Sequence, residues 1–408
     1  MAYVPRGLIT LQGLFMKKIS SSARVATPLL ATAFALFAML FGTGNIVFPL
    51  GLGRSVGALA LYAMIGFVLT AVLIPVIGII AMALYDGDYT VFLQRAGKTP
   101  GIVMVIICMA LLGPLCGIPR SIALSYSALQ WIMPNLSLLY FSLAMAVIIF
   151  CTTIRESKVV GLMGKFLGPL KVLLLGGLII KGFFIPAQTA PCELSNFETL
   201  KHGFFEGFGT LDLIGVIFFS SLLLASLRKF YVNVENSHRE QIKMLVKSGV
   251  LGSLMLGLMY AGFIFVASFQ SGAEQCIGLE KTQLLSALAT IILGAGGGAL
   301  ASITIAVACT TTAIALTTVF VDYVHRTCMK PRGFHYVVTL LITLVIAVFF
   351  ANYGFEKIQT MLEPLIMVLY PGLIVLTFTN IIYKLWKVDL GKIPFYAMLA
   401  ISFINQIR

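Results

Sequence analysis

Apolar residues in this chain come in unbroken blocks rather than in alternation. Residues 61–84 (LYAMIGFVLTAVLIPVIGIIAMAL) and 340–351 (LLITLVIAVFFA) contain no charged side chain. A barrel strand would alternate apolar and polar positions with a period of two. Continuous blocks approaching the ~20 residues that cross a bilayer predict spanning helices. The blocks fall near 28–52, 56–84, 101–131, 136–154, 166–185, 207–229, 248–270, 299–321, 336–351, 358–383 and 393–406. The predicted fold class is an all-α membrane protein of about eleven transmembrane helices.

Composition strengthens this picture. Of 408 residues, 59% are hydrophobic and 11% charged, against about a quarter charged in soluble domains. Such a surface would aggregate in water, and lipid is the partner that suits it.

The net charge of +13 raises nucleic acid as a partner. The basic residues instead form short clusters between apolar blocks, with no aromatic-interleaved stripe, so no nucleic acid is expected. The positive-inside rule accounts for them. With the N-terminus inside, Arg54, Lys181, Lys201, Lys281, Lys357 and Arg408 fall outside. Arg120 and Lys171 fall within spans, and the rest of the 28 Lys and Arg fall on the inner side. The expected topology is N-terminus cytoplasmic and C-terminus outside, with 1–27 a cytoplasmic segment and 28–408 one transmembrane domain. Lys17 and Lys18 before an apolar run resemble a signal peptide, but no convincing cleavage site follows, and a retained first span is expected. Met16 is an alternative start.

Three irregularities interrupt the apolar background. The first is a pair of breaks: Phe41-Gly-Thr-Gly-Asn45, followed by Phe48-Pro49, in span one, and Gly207-Phe-Gly-Thr-Leu-Asp212 at the start of span six. Either alone fits close packing through small residues. Five spans apart, they point to a five-plus-five inverted repeat with broken helices 1 and 6 and a binding site near the midplane. The repeats are expected at 28–185 and 186–383, with 384–408 a terminal helix. At such breaks, half-helix N–H groups favour an anion such as a carboxylate, and unwound carbonyls suit a small cation. Thr43 and Gly44 would supply N–H groups and Asn45 a side-chain oxygen. Phe208 would form an apolar wall, with Gly209 and Thr210 beside it.

Clustered hydroxyls are the second irregularity. Ala308, Thr311 and Thr312 follow i, i+3, i+4 spacing and share one helix face, fit for a cation. Threonines bonding their own preceding carbonyls give the same sequence. Buried charge is the third: Arg120 in Gly113-Pro-Leu-Cys-Gly-Ile-Pro-Arg120, Lys171 in span five, Asp212 after the second break, and Glu363 near the start of span ten. Intramembrane charges default to functional roles. Arg120 and Asp212 could pair, and Glu363 could instead snorkel to the interface.

Enzymatic chemistry lacks material. The four histidines lie in loops or at span ends, and no metal-ligand spacing or nucleophile–base pair is visible, so neither catalysis nor a resident cofactor is expected. Of seven cysteines, Cys192 and Cys276 fall in outer loops, where an oxidising compartment would permit a bridge.

These motifs, together with Cys309-Thr-Thr-Thr-Ala-Ile-Ala-Leu-Thr-Thr318 and Glu363-Pro-Leu-Ile-Met-Val-Leu-Tyr-Pro371, resemble the bacterial branched-chain amino acid:cation symporters, in that family's order along essentially the whole chain. The resemblance implies the leucine-transporter fold and inward symport of leucine, isoleucine or valine through the bacterial inner membrane by alternating access. It also implies a sodium site formed by the carbonyls of Ala38 and Phe41 with Ala308, Thr311 and Thr312. A second ion would lie near Asn45 and Thr210, beside the substrate carboxylate, and Leu316 would line the side-chain pocket with Phe208. The coupling ion is expected to be sodium, with a proton as the alternative, because some proton-coupled transporters of this fold put a fifth-span lysine in the sodium position, as Lys171 could do here. The alternatives are a broader neutral amino acid carrier and, in another class, a membrane enzyme acting on lipid. Family members usually carry a twelfth span, and this chain ends after about eleven.

Overall fold

Helix propensity fails at Phe41-Gly42, and the first span divides there into α1 (Leu29–Leu40) and α2 (Thr43–Val56). Gly42 takes an extended conformation (φ −133°, ψ −141°) that no helix contains. Its N–H donates to the Asn45 side-chain oxygen at 3.1 Å, which caps the new helix from three residues ahead. The computed structural model describes residues 29–154, 166, 168–230, 237–328 and 334–407.

The second span runs through α3 (Ala60–Val68), a π turn at Leu69–Leu73, and α4 (Ile74–Leu84). Pro75 is the cause of the widening, because it lacks an N–H and its ring crowds the carbonyl four residues back. The third span is also interrupted, which the apolar block at 101–131 conceals. It comprises α6 (Lys98–Leu112) and α7 (Gly117–Gln130), reached through the short connector α5 (Tyr89–Gln94). Pro114 offers no donor there, and Leu115 and Ile118 N–H groups reach back five residues to Ala110 and Gly113, each at 3.1 Å. Spans four and five are α8 (Leu138–Thr153) and α9 (Gly168–Gly182).

Span six is longer than its apolar block. It opens with α10 (Asn196–Glu206), passes through a tight turn at Gly207–Thr210, and continues as α11 (Asp212–Phe230). Glu198, Lys201, His202 and Glu206 make α10 read as a loop by hydropathy. A capping box starts it nonetheless: Glu198 N–H donates to Ser195 Oγ at 3.3 Å, and Ser195 N–H donates to Glu198 Oε2 at 2.9 Å. Leu211 turns the corner in a left-handed conformation (φ 60°) that a side chain unbranched at Cβ tolerates at some cost.

The remaining elements are α12 (Ser237–Phe269), α13 (Leu284–Leu293), α14 (Ala295–Cys328), α15 (Phe334–Ala351), α16 (Phe355–Trp386) and α17 (Ile393–Ile407). α12, α14 and α16 overrun the expected spans because helices continue past the hydrocarbon edge where their ends are polar. α13 sits in a connection where no helix was expected. α17 docks on α16, and Tyr396 Oη donates to Ala96 O at 2.9 Å. Large apolar side chains face outward in mid-span, such as Leu258 at 75% and Val345 at 68% exposure, which only lipid makes favourable.

The result is a multi-pass, all-helical membrane fold of about eleven spans with a five-plus-five inverted repeat. The expected segment 1–27, the alternative start at Met16, and Arg155, Lys158, Lys165, Lys330, Arg332 and Arg408 lie outside the described residues. Cys192 and Cys276 are both free thiols, so the bridge considered from their loop positions does not form. Arg54 instead holds the Cys276 loop, donating to the carbonyls of Leu279 at 2.6 Å and Cys276 at 3.3 Å.

Candidate substrate and cation site

The two breaks meet in the interior. A methyl group placed on Gly44 would lie 3.0 Å from Gly209 O and 3.1 Å from Thr210 Cα, so α2 and the turn at Gly207–Thr210 approach backbone to backbone. A cavity lies beside this contact. Thr43, Asn45, Arg120, Ser121, Thr210, Asp212 and Thr312 form its polar lining with the backbone at Gly44, while Leu40, Leu112, Phe219 and Leu316 form much of the apolar remainder.

The oxygens expected around a cation surround an ammonium group. Lys171 Nζ donates to Ala38 O at 3.0 Å, Phe41 O at 3.1 Å and Ala308 O at 3.2 Å. Three donors meet three acceptors, which satisfies the charged amine completely. Lys171 is 2% exposed, on α9, and its three acceptors come from the first break and α14. Thr312 Oγ1 lies 3.2 Å from both Phe41 O and Ala308 O and can donate to either. Thr311 Oγ1 donates to Ala308 O at 2.7 Å, the local bonding that needs no ligand.

A second buried network lies on the other side of the break. Asn45 Nδ2 donates to both carboxylate oxygens of Asp212, at 2.8 and 3.0 Å, and contacts Tyr260 Oη. Tyr260 Oη donates to Asp212 Oδ2 at 2.6 Å. Asn45 was expected to offer its side-chain oxygen to a cation. That oxygen accepts the Gly42 N–H, and the donor on one side and acceptors on the other fix the amide's orientation. Thr210, expected near the same ion, donates to Gly207 O at 2.9 Å and accepts the Asp212 N–H at 3.4 Å, so its hydroxyl caps the turn.

Other expectations change position. Phe208 does not line the cavity; its ring stacks on Tyr370 with centroids 4.7 Å apart. The left-handed corner at Leu211 follows one turn later, and the side chain is directed into α16. Leu316 does line the cavity. Arg120 and Asp212 form no ion pair. The Arg120 guanidinium donates to Gly209 O at 3.3 Å from both terminal nitrogens and lies over Phe48 and Phe355, 5.1 and 5.0 Å from their centroids. Glu363 lines a separate cavity beyond Phe48, with Lys281 and Glu206, which are joined at 3.2 Å.

Sequence reasoning missed Tyr260 and the role of Tyr370. Tyr370 Oη accepts the Leu213 N–H at 3.1 Å and so caps α11. A tyrosine in mid-span was the available signal in both cases, since a buried phenol needs a partner.

Paired breaks in spans one and six around a central cavity define a membrane transporter of the leucine-transporter fold. Solved structures share this fold. MhsT in complex with L-phenylalanine superposes with a TM-score of 0.57 at 14% identity, covering 93% of this chain and 97% of that one. Mhp1, a nucleobase-cation-symport transporter with bromovinylhydantoin bound, gives 0.53 at 12% identity over 93% and 91%. A family model described as branched-chain amino acid transport protein matches residues 26–407, and the chain belongs to that family. It is 29% identical over 361 residues to the branched-chain amino acid permease BraB of Bacillus subtilis, spanning 87% of this chain and 80% of the permease. A branched-chain amino acid carrier protein of Staphylococcus haemolyticus is 30% identical over 356 residues, spanning 83% and 78%. The family is one of transporters and not of enzymes.

Proposed function

We propose that this protein imports leucine, isoleucine or valine across a bacterial inner membrane, with its N-terminus cytoplasmic, by symport with a proton that acts through Lys171. The observation that carries the reading is the Lys171 ammonium on the carbonyls of Ala38, Phe41 and Ala308. A sodium ion and an ammonium cannot share those oxygens. Protonated, Lys171 ties the first break to α9 and α14. Deprotonated, it has two donors and a lone pair facing three carbonyl oxygens, so the tie weakens. A proton thereby shifts the balance between conformations by binding them unequally, and one repeat can rock against the other.

Counterflow of labelled leucine in proteoliposomes, with sodium and with an imposed proton gradient, tests the proposal. Uptake should follow the proton gradient without sodium, and Lys171→Ala should lose that response. Strict sodium dependence in the wild type, retained in Lys171→Ala, would reject it.

A further inference from the structure

Arg120 and Asp212 are the two charges that line the central cavity, and neither has a counter-ion. Arg120 is 3% exposed and Asp212 2%. Among the described residues neither enters an ion pair, with each other or with any other side chain. A buried charge without an opposite partner is strongly unfavourable, so a pair of them calls for a third party.

Their unused valences point the same way. The terminal nitrogens of Arg120 meet Gly209 O and Cys116 Sγ, but its Nε–H has no partner. Phe48 and Phe355 cover the guanidinium and leave its donor edge for an acceptor. Asp212 accepts from Asn45 and Tyr260, three bonds in all, whereas a carboxylate has about four lone-pair sites. Asp212 is itself among the residues that line the cavity. An acceptor is wanted at one place and a donor cation at another, and apolar Leu40, Leu112, Phe219 and Leu316 line the same cavity.

We propose that Arg120 and Asp212 bind the α-carboxylate and the α-ammonium of one zwitterionic amino acid, whose branched side chain lies on the apolar wall. The N-terminus of α2, at Thr43 and Gly44, adds its dipole on the carboxylate side. The substrate then completes two half-made ion pairs at once, and a ligand with only one charge leaves the other uncompensated. The proposal rests on the reading that the substrate is an α-amino acid.

The test uses the purified full chain and ligand-induced thermal stabilisation, which reports affinity without a label. Leucine is compared with 4-methylpentanoate, which lacks the ammonium, and with 3-methylbutylamine, which lacks the carboxylate. Wild type should bind leucine at least about tenfold more tightly than either, the difference expected for a lost bond to a charged group. Asp212→Asn should weaken leucine by at least about tenfold without weakening 4-methylpentanoate; Arg120→Gln should weaken both acids without weakening the amine. Arg120→Lys and Asp212→Glu keep the charges and should retain the preference for the zwitterion. Equal weakening of all three ligands would assign both residues a structural role and overturn the proposal, as would full leucine affinity in either neutral variant. If wild type binds another α-amino acid and none of the branched-chain ones, the substrate reading fails. The clamp is then judged on that amino acid's deaminated and decarboxylated forms by the same criteria.

Discussion

Lys171 Nζ donates to the carbonyl oxygen of Phe41 at 3.1 Å, and Phe41 is the residue at which the first span stops being helical. The break frees that carbonyl from its helical partner, and the fifth span supplies the replacement. The side chain therefore stabilises the break at the place where the proposed coupling proton would act.

Lys171→Met keeps the volume of the side chain and removes a donor from the carbonyls of Ala38, Phe41 and Ala308, of which Phe41 and Ala308 remain within reach of threonine hydroxyls. Uptake of labelled leucine in proteoliposomes should fall by at least about tenfold, since an orphaned buried acceptor such as Ala38 O costs about 1–3 kcal/mol. Protein level in the membrane should be unchanged.

Thr312→Val removes the hydroxyl that bridges Phe41 O and Ala308 O while keeping the shape. The loss should be about 1 kcal/mol of stability, read by unfolding of the purified protein. The apparent proton dependence of uptake should remain, because Lys171 still reaches both carbonyls.

Gly44→Ala inserts a methyl group 3.0 Å from Gly209 O, 3.1 Å from Thr210 Cα and 3.2 Å from Arg120 Nη2. Two of these neighbours are backbone and cannot turn aside. The two breaks must separate, at a cost of about 1–3 kcal/mol, and leucine uptake should be lost in vesicles that still contain the protein.

Cys192 and Cys276 should differ toward an impermeant maleimide without any reductant. Cys192 is half-buried and should label, whereas Cys276 is buried. Burial also raises the Cys276 thiol above its ordinary pKa, with Arg54 opposing. Less thiolate is present near neutral pH, and labelling at Cys276 should increase as pH rises. Labelling of Cys192 from outside intact cells would also support the cytoplasmic N-terminus.

Sequence alone determined the spans, the two breaks and the residues that make them. Each is a local property: apolar blocks meet lipid, and Gly42 and Gly207 mark where the helices of spans one and six give way. The helix at Asn196–Glu206 escaped because its polar residues mask a span that a capping box begins. The face shared by Ala308, Thr311 and Thr312 was likewise legible, since helical spacing sets it. Tertiary structure alone decided what each side chain touches. Lys171 could have met a carboxylate, but the packing of α9 against the first break and α14 gave it carbonyls 133 and 137 positions away in sequence. Phe208 could have faced the substrate, but Leu211 turned the chain and Tyr370 took the ring. Arg120 and Asp212 could have paired, yet Asn45 and Tyr260 claimed the carboxylate while Gly209 claimed the guanidinium. Partners so distant along the chain are chosen by how whole helices pack, and no local pattern of residues encodes that choice.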